Sequence, residues 1–485
     1  MTPIWASPTI RQASGSLSLA EDEPLFTFEY ATDAPSSTNW IGLYHASGGG
    51  PDNEEMDTPS LLWEYAPEAA GSVSLPASSL EPGSYKAYFL ANDGYAWLAE
   101  PIVVELPEQV SFIVSNFTTH NARQGDAFEA SIGGLLGGRA SDSDIRFLLS
   151  SPESGEWTQV STDGTISGTP GSDATDTRIS IAATSSGGQT LAEIEVLIPV
   201  RQSGSPVVER LSIMTYNLWH GGSRVNDYHA KQVRYLAGSG ADIVGVQEST
   251  GDHATRLANA LGWHSWQGRD VGFISRYPIV STGTDLGYAG SALIALDGSD
   301  SQVKVWNGHL GYDPYGPYDF CFDQMSVDRV MQREEQSGRT PQIINIMSAM
   351  EGDLENSDNI PVILLGDFNA PSHLDYTEAL REKNCGYANV PWPTSIHPTD
   401  AGMVDSFRVA HPDPVAEEGI TWSPIFLTNN GRPEPLDRID FIYHKSSMGV
   451  LSSEDIVIGN PSPEPNHQNN EWTSDHAAVL TIFEL

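Results

Sequence analysis

A chain of 485 residues exceeds the roughly 250 to 300 residues at which one hydrophobic core stops growing, so a single-core architecture is excluded and two or three domains are expected. With 39% hydrophobic and 18% charged residues the chain can bury cores throughout, which excludes a disordered polymer. Acidic residues outnumber basic ones by 64 to 24, a formal charge of −40, and this weighs against nonspecific nucleic-acid binding, whose affinity comes from Lys and Arg neutralising phosphates.

The N-terminal MTPIWASPTIRQ has neither the basic nor the apolar region of a signal peptide, and no stretch offers the 18 or so apolar residues of a membrane span. Taken literally, the sequence predicts neither an export leader nor a transmembrane anchor. Up to about residue 108, short apolar runs alternate with Gly, Pro and Ser turns: LFTFEY (25–30), NWIGLY (39–44), SYKAYFLA (84–91) and IVVEL (102–106). Regular short strands without helical periodicity predict a β-sandwich. A second all-β stretch, 109–203, contains FIVSNF, FEASI, IRFLLS, RISIAAT and AEIEVLIPV, and QSGSP (202–206) has the composition of a linker.

From about residue 204 to 485 strand-like runs alternate with helical stretches, which implies an α/β domain. LSIMTYNL, ADIVGVQE, VGFISRYPIV, VKVWNGHL, PVILLGDFN, RIDFIYH and AAVLTIFEL read as strands. His229 to Gly238 reads as a helix, and SVDRVMQREEQSGRTPQIINIMSAM as helix interrupted at Ser337-Gly338. Cys321 and Cys385 allow one disulfide in an oxidising compartment or two free thiols.

Several strands end in residues suited to metal or phosphate chemistry: Asn217, Glu248, His309, Asp367 with Asn369, Asp440, and Asp475-His476 before the last strand. Strand ends can converge on one rim of a sheet. Singly, each has an ordinary structural explanation as a turn, a cap or a satisfied core residue. The ordered series TYNLW, VQE, ISRYPI, GHL, GDFN, RIDFIY and SDH, over about 275 residues, resembles the endonuclease/exonuclease/phosphatase superfamily.

That resemblance implies a four-layer α/β/β/α sandwich and a divalent-metal-dependent phosphoric ester hydrolase, either phosphodiesterase or phosphatase. The strings WIGLY and PGSYKAYFLANDGYAWLAEP resemble immunoglobulin-like accessory sandwiches, and DGTISGTP resembles a turn of bacterial Ig-like modules. The expected chain is therefore multidomain, two all-β Ig-like sandwiches (1–108 and 109–203) followed by the catalytic domain (204–485). Accessory sandwiches and low lysine point to an extracellular protein, although the N-terminus does not support it.

A hard cation, Mg²⁺ or Mn²⁺, prefers oxygen ligands, and Glu248, Asn217 and Asp475 are the expected set. By resemblance Asp367 orients or deprotonates the water and Asn369 positions it. His476, held by Asp440, acts as base or as a charged phosphate ligand. His309 binds a phosphoryl oxygen, oriented by Asp270, while Arg276 is structural. Tyr312, Tyr315, Tyr318, Arg333, Arg339 and Gln342 either frame the leaving group or hold phosphate, or else belong to a loop and helix covering the core, and Asn217 is also a substrate-side candidate.

The expected substrate is a phosphorylated small molecule, lipid head group or glycan, with nucleic acid less favoured by the charge. A nonspecific nuclease and a catalytically weak phosphate-binding protein are the alternatives. No sequence feature calls for an obligate protein partner.

Overall fold

The computed structural model describes residues 15–20, 23–76, 80, 82–106, 110–138, 145–150 and 156–485. The N-terminal dodecapeptide and the expected boundary at 108 to 109 lie outside the described residues. The chain forms two compact units, one essentially up to Val110 and the other from Ser111 to Leu485 apart from residues 138–143. No helix among the described residues is long and apolar enough to cross a membrane.

In the first unit a three-stranded sheet (Ser16–Leu19, Thr27–Ala31, Ala70–Ser74) and a four-stranded sheet (Leu62–Tyr65, Trp40–His45, Gly83–Leu90, Ile102–Leu106) share one core. Alternate residues supply it: Phe28 and Tyr30 from one sheet, Ile41, Leu43, Ala87 and Phe89 from the other. The second β-rich region, within the larger unit, builds a four-stranded sheet around Thr177–Thr184 and Thr190–Ile198 and a three-stranded sheet around Thr165–Gly168. FIVSNF, expected as one strand, is two short ones, Ser111–Phe112 and Asn116–Thr118, in different sheets.

This β-rich region is tied to the α/β domain. Arg123 pairs with Asp297 and donates to the Ser205 carbonyl at 3.1 Å, and Asn121 donates to the Val207 carbonyl at 2.8 Å. Arg276 donates to the carbonyls of Ala241 and Thr118 and lies over the Trp263 ring, a structural role. The QSGSP segment is thus held by hydrogen bonds to the adjacent Arg123 and Gln124, despite the composition of a free linker.

The α/β domain contains two six-stranded sheets. In one the order is His264–Gln267, Gly272–Ser275, Ile243–Gln247, Arg210–Asn217, Ala478–Glu484, Gly449–Ile456; in the other it is Ile279–Thr282, Ala289–Asp297, Ser301–His309, Val362–Asp367, Asp440–Lys445, Val404–Asp405. VGFISRYPIV is therefore not one strand. It breaks at Arg276 to Pro278, and its halves enter opposite sheets, because proline removes a ladder donor and disfavours regular pairing there. The helical segment splits at Ser337-Gly338 as expected, into Val327–Gln336 and Arg339–Glu355.

One core lies between the sheets, built from Leu211, Ile213, Ile243, Phe273, Val479 and Phe483 against Ile294, Val303, Val305, Ile363, Leu365 and Ile442. On the far side of the second sheet, Ile343, Ile346, Met350 and Leu354 of the long helix pack on Trp306, Leu364, Phe441 and Tyr443. Their spacing of three, four and four is one face of an α-helix.

Candidate active site

The alternation that builds the core also builds the site. Side chains two residues apart on a strand share a face, so the row Leu211, Ile213, Thr215 ends on Asn217, and Val303, Val305, Asn307 ends on His309. Likewise Ile363, Leu365 ends on Asp367, and Ile442 precedes Asp440 on the same face. The rows change from apolar to polar or charged as they approach the rim. The middle layer is hydrogen-bonded internally, save for the buried Gln247 Oε1: the Gln247 amide N–H donates to Asn307 Oδ1 at 2.7 Å and Thr215 Oγ1 at 3.0 Å, and Asn307 donates to the carbonyls of Val246 and Gly272.

Register then places His309, Asp367 and Asp440 side by side across three neighbouring strands. From the opposite sheet, the Asn217 Nδ2 reaches across and donates to Asp367 Oδ2 at 3.0 Å and to Glu248 Oε1 at 3.4 Å, while its Oδ1 accepts from the Trp219 N–H at 2.9 Å. Glu248 follows its strand with φ 52°, and Asn369 has φ 51°, a left-handed conformation that costs energy in most side chains and recurs at functional sites. The backbone N–H of His220 donates to Glu248 Oε2 at 2.6 Å. The Asn369 amide donates to the Leu310 carbonyl at 3.0 Å and to Asp367 Oδ2 at 3.3 Å.

Two histidine–carboxylate pairs approach Asp367. His309 Nδ1 lies 2.6 Å from Asp270 Oδ2 and its Nε2 3.6 Å from Asp367 Oδ2; His476 Nδ1 lies 2.9 Å from Asp440 Oδ2 and its Nε2 3.7 Å from the same Asp367 oxygen. Burial by itself disfavours charge on His309, but Asp270, Asp367 and Glu248 outweigh it and push the imidazole up to about 9. In His476 burial is likewise overridden, by Asp440 and Asp367, and the ring is held well above its usual range. Asp475 is pushed up to about 7, by burial first and then by the Glu248 and Asp367 carboxylates, against the attraction of His476.

A cavity of about 460 Å³ opens over these groups. Glu248, Asp270, His309, Asp367, Asn369, Asp475 and His476 line it, while Asn217 and Asp440 lie behind it and position others. Sequence reasoning missed Trp219, His220, Thr250 and Trp422, which complete the wall. Trp219 and His220 directly follow the TYNL strand and were findable by adjacency. Trp422 has no motif around it, and it joins the site because its backbone bridges both Asp437 and His476.

Three substrate-side candidates are displaced from that expectation. Arg339 is fully buried and its guanidinium is consumed by Glu334 and by the carbonyls of Gly311 and Pro314. Arg333 is paired with Asp319 at 2.6 Å, outside the cavity. Arg339 has no donor left for phosphate, and the Nε contact to Asp319 ties Arg333 to the covering helices instead. Tyr315 is buried and donates to Asp437 Oδ2 at 3.1 Å, though its ring lines a small adjoining cavity of about 110 Å³ with Tyr312, Tyr318, Asn369 and Trp422.

The pattern of the Endonuclease/Exonuclease/phosphatase family matches residues 214–476, spanning all of these groups except those that only frame the domain. The chain belongs to the endonuclease/exonuclease/phosphatase family. It is 30% identical over 292 residues to the uncharacterized protein F14F9.5 of Caenorhabditis elegans, covering 56% of this chain and 91% of that protein. Similar solved structures include truncated Caenorhabditis elegans TDP2 (14% identity, 57% of this chain and 98% of that one, TM-score 0.37) and the human Nocturnin catalytic domain with bound sulfate anion (15%, 57% and 96%, 0.36). Membership of the family identifies the α/β domain as a phosphoesterase-type hydrolase domain, with the buried Asp367, Asp440 and His476 group at its rim.

Proposed function

We propose that this chain hydrolyses a phosphodiester or phosphomonoester with Mg²⁺ or Mn²⁺, and that Asp367 activates the attacking water. The observation that carries the proposal is the convergence of two histidine–carboxylate pairs on one buried carboxylate oxygen, beside Glu248, in an open cavity. The ligand atoms of Asp367, Asp440 and His476 lie within 4.8 Å of one another, and although Asp440 Oδ1 is buried without a partner, its Oδ2 and His476 Nδ1 already satisfy each other. Glu248, with Asn217 and Asp475, fits a hard cation better. Glu248 and Asp475 offer carboxylate oxygens, Asp475 Oδ1 being buried with no protein hydrogen-bond partner, and the Asn217 amide oxygen, which accepts from the Trp219 N–H at 2.9 Å, keeps a second lone pair for a cation. Such a cation supplies Lewis acidity toward phosphoryl oxygen.

The protein groups do the rest. Each imidazole has a carboxylate on Nδ1, so Nε2–H faces the reacting centre as a charge-assisted donor to phosphoryl oxygens, and Asp270 and Asp440 orient it. Asp367 takes the proton of the water, and Asn369, anchored on the Leu310 carbonyl, positions that water. Asn217 holds Asp367 in place.

The proposed substrate is a small molecule, lipid head group or glycan phosphoester, because −40 formal charges repel a polyanionic polymer; nucleic acid is the competing class. The three-part division at 108 and 203, the Ig-like character of the β-rich regions and the four-layer α/β/β/α arrangement belong to the same proposal. So does an extracellular location, which the Cys321–Cys385 bridge favours, disulfides persisting in oxidising compartments.

The test is turnover of matched chromogenic phosphate mono- and diesters with Mg²⁺, Mn²⁺ or chelator, with plasmid DNA in parallel. Chelator-sensitive hydrolysis lost in Glu248→Ala and Asp367→Asn is expected. Turnover that survives both substitutions would refute the assignment, and cleavage of DNA in preference to the small esters would move the substrate to nucleic acid.

A further inference from the structure

An antiparallel sheet that packs on one side ordinarily turns polar residues outward. The four-stranded sheet of the first unit departs from this. Its inner face supplies Ile41, Leu43, Ala87 and Phe89 to the core, while its outer face carries a second buried cluster, Trp40, Tyr44, Tyr88 and Leu90, continued by Trp63 and Tyr65. Trp40 and Tyr65 are cross-strand partners, and Trp63 lies opposite Gly42. Trp63 is 51% exposed, Tyr65 40% and the neighbouring Met56 58%, so the apolar surface runs on from that buried cluster into solvent.

The rings stand as walls. Trp40 and Trp63 meet at 84° with centroids 6.4 Å apart, Trp40 and Tyr95 at 79° and 5.9 Å, and Trp63 and Tyr65 at 80° and 5.1 Å. They border an open cleft of about 290 Å³. The Tyr65 hydroxyl donates to Asp93 Oδ1 at 3.2 Å, fixing a carboxylate at the rim, and the described lining contains no Lys or Arg. A sugar ring is served by a flat ring face with several hydrogen-bonding partners around it. Mutually perpendicular rings with one carboxylate suit a compact cation with an apolar surface, drawn to π-faces and by a chain charge of −40.

We propose that this cage binds a quaternary ammonium group of the choline type, a ligand site separate from the phosphoesterase centre and independent of how that centre is read. Full-length protein is titrated calorimetrically with choline chloride, with its uncharged isostere 3,3-dimethyl-1-butanol, and with cellotetraose. Saturable choline binding of roughly millimolar Kd is expected, with the neutral isostere much weaker. Trp63→Ala should abolish it, and Asp93→Asn should weaken it about fivefold, the scale of one exposed cation–carboxylate contact, with turnover and melting temperature unchanged. Co-sedimentation with phosphatidylcholine vesicles would assign the source as a lipid head group, and choline binding without it a free cation. Equal binding of choline and the isostere, preference for cellotetraose, or no saturation by choline would each overturn the proposal.

Discussion

Replacing Arg339 by Met tests whether this arginine serves the scaffold or the substrate. Its Nε donates to Glu334 Oε2 at 2.8 Å and its NH1 to the Gly311 carbonyl at 2.9 Å, with further bonds to Glu334 Oε1 and the Pro314 carbonyl, and both charged side chains are fully buried. Removing one member of a buried ion pair leaves the other uncompensated, at a cost of about 3–5 kcal/mol. For a unit of this size the unfolding entropy makes each kcal/mol worth about 1–2 °C of melting temperature, so Arg339→Met should melt about 3–10 °C earlier.

Adding Glu334→Leu removes the stranded carboxylate and should recover the charge share of the loss. It should leave only the cost of the two part-buried carbonyls that have lost their donor, about 1 kcal/mol each. Those carbonyls flank Tyr312 at the cavity, so the double variant should recover stability before it recovers turnover. Differential scanning calorimetry with KM and kcat on the same samples reads both. A single variant of unchanged stability whose KM for phosphoester rises steeply would refute the buried-scaffold reasoning and return Arg339 to phosphate binding.

Asp270→Asn keeps the shape but removes the carboxylate from His309 Nδ1, and should lower kcat by roughly 10²-fold with little change in KM; an unchanged kcat would remove this pair from the machinery. His120 is depressed to about 4, by burial first and then by Arg276 and His264. The unfolded chain therefore takes up its proton first, and this contribution, up to about 3 kcal/mol, is present above pH 6.5 and lost as pH falls from 6.5 to 4. His120→Gln should flatten that acid limb in denaturant titrations at successive pH values. The Cys321–Cys385 bridge closes a loop of sequence separation 64, for which chain entropy predicts about 4 kcal/mol of stabilisation. A Cys321→Ser/Cys385→Ser variant should unfold at correspondingly lower denaturant, and an unchanged midpoint would show that the bridge does not constrain the unfolded chain.

Much of the catalytic domain was legible in the chain because its signals are local. Apolar runs ending in Asn217, Glu248, His309 and Asp367 announce strands whose ends carry polar chemistry, and Gly338 marks the break between two helices by its positive φ. What the linear order could not convey is which ends meet. Asn217 and Asp367 are 150 positions apart, and only the facing of two sheets, each contributing the same alternation to a shared core, brings them to 3.0 Å.

Charge alone was equally mute about partners. Arg333 and Arg339 looked like phosphate ligands because Arg suits phosphate, yet Asp319 and Glu334 capture them first, and Cys321 finds Cys385 rather than remaining free. Trp422 enters the active-site wall through a backbone bridge to His476, and the outer face of Trp40, Trp63 and Tyr65 becomes a cage only once two strands pair in register. Composition and periodicity thus determined the kinds of element and the residue types at their ends. Tertiary structure decided their pairing, because hydrogen-bond register and burial act between residues remote in the chain.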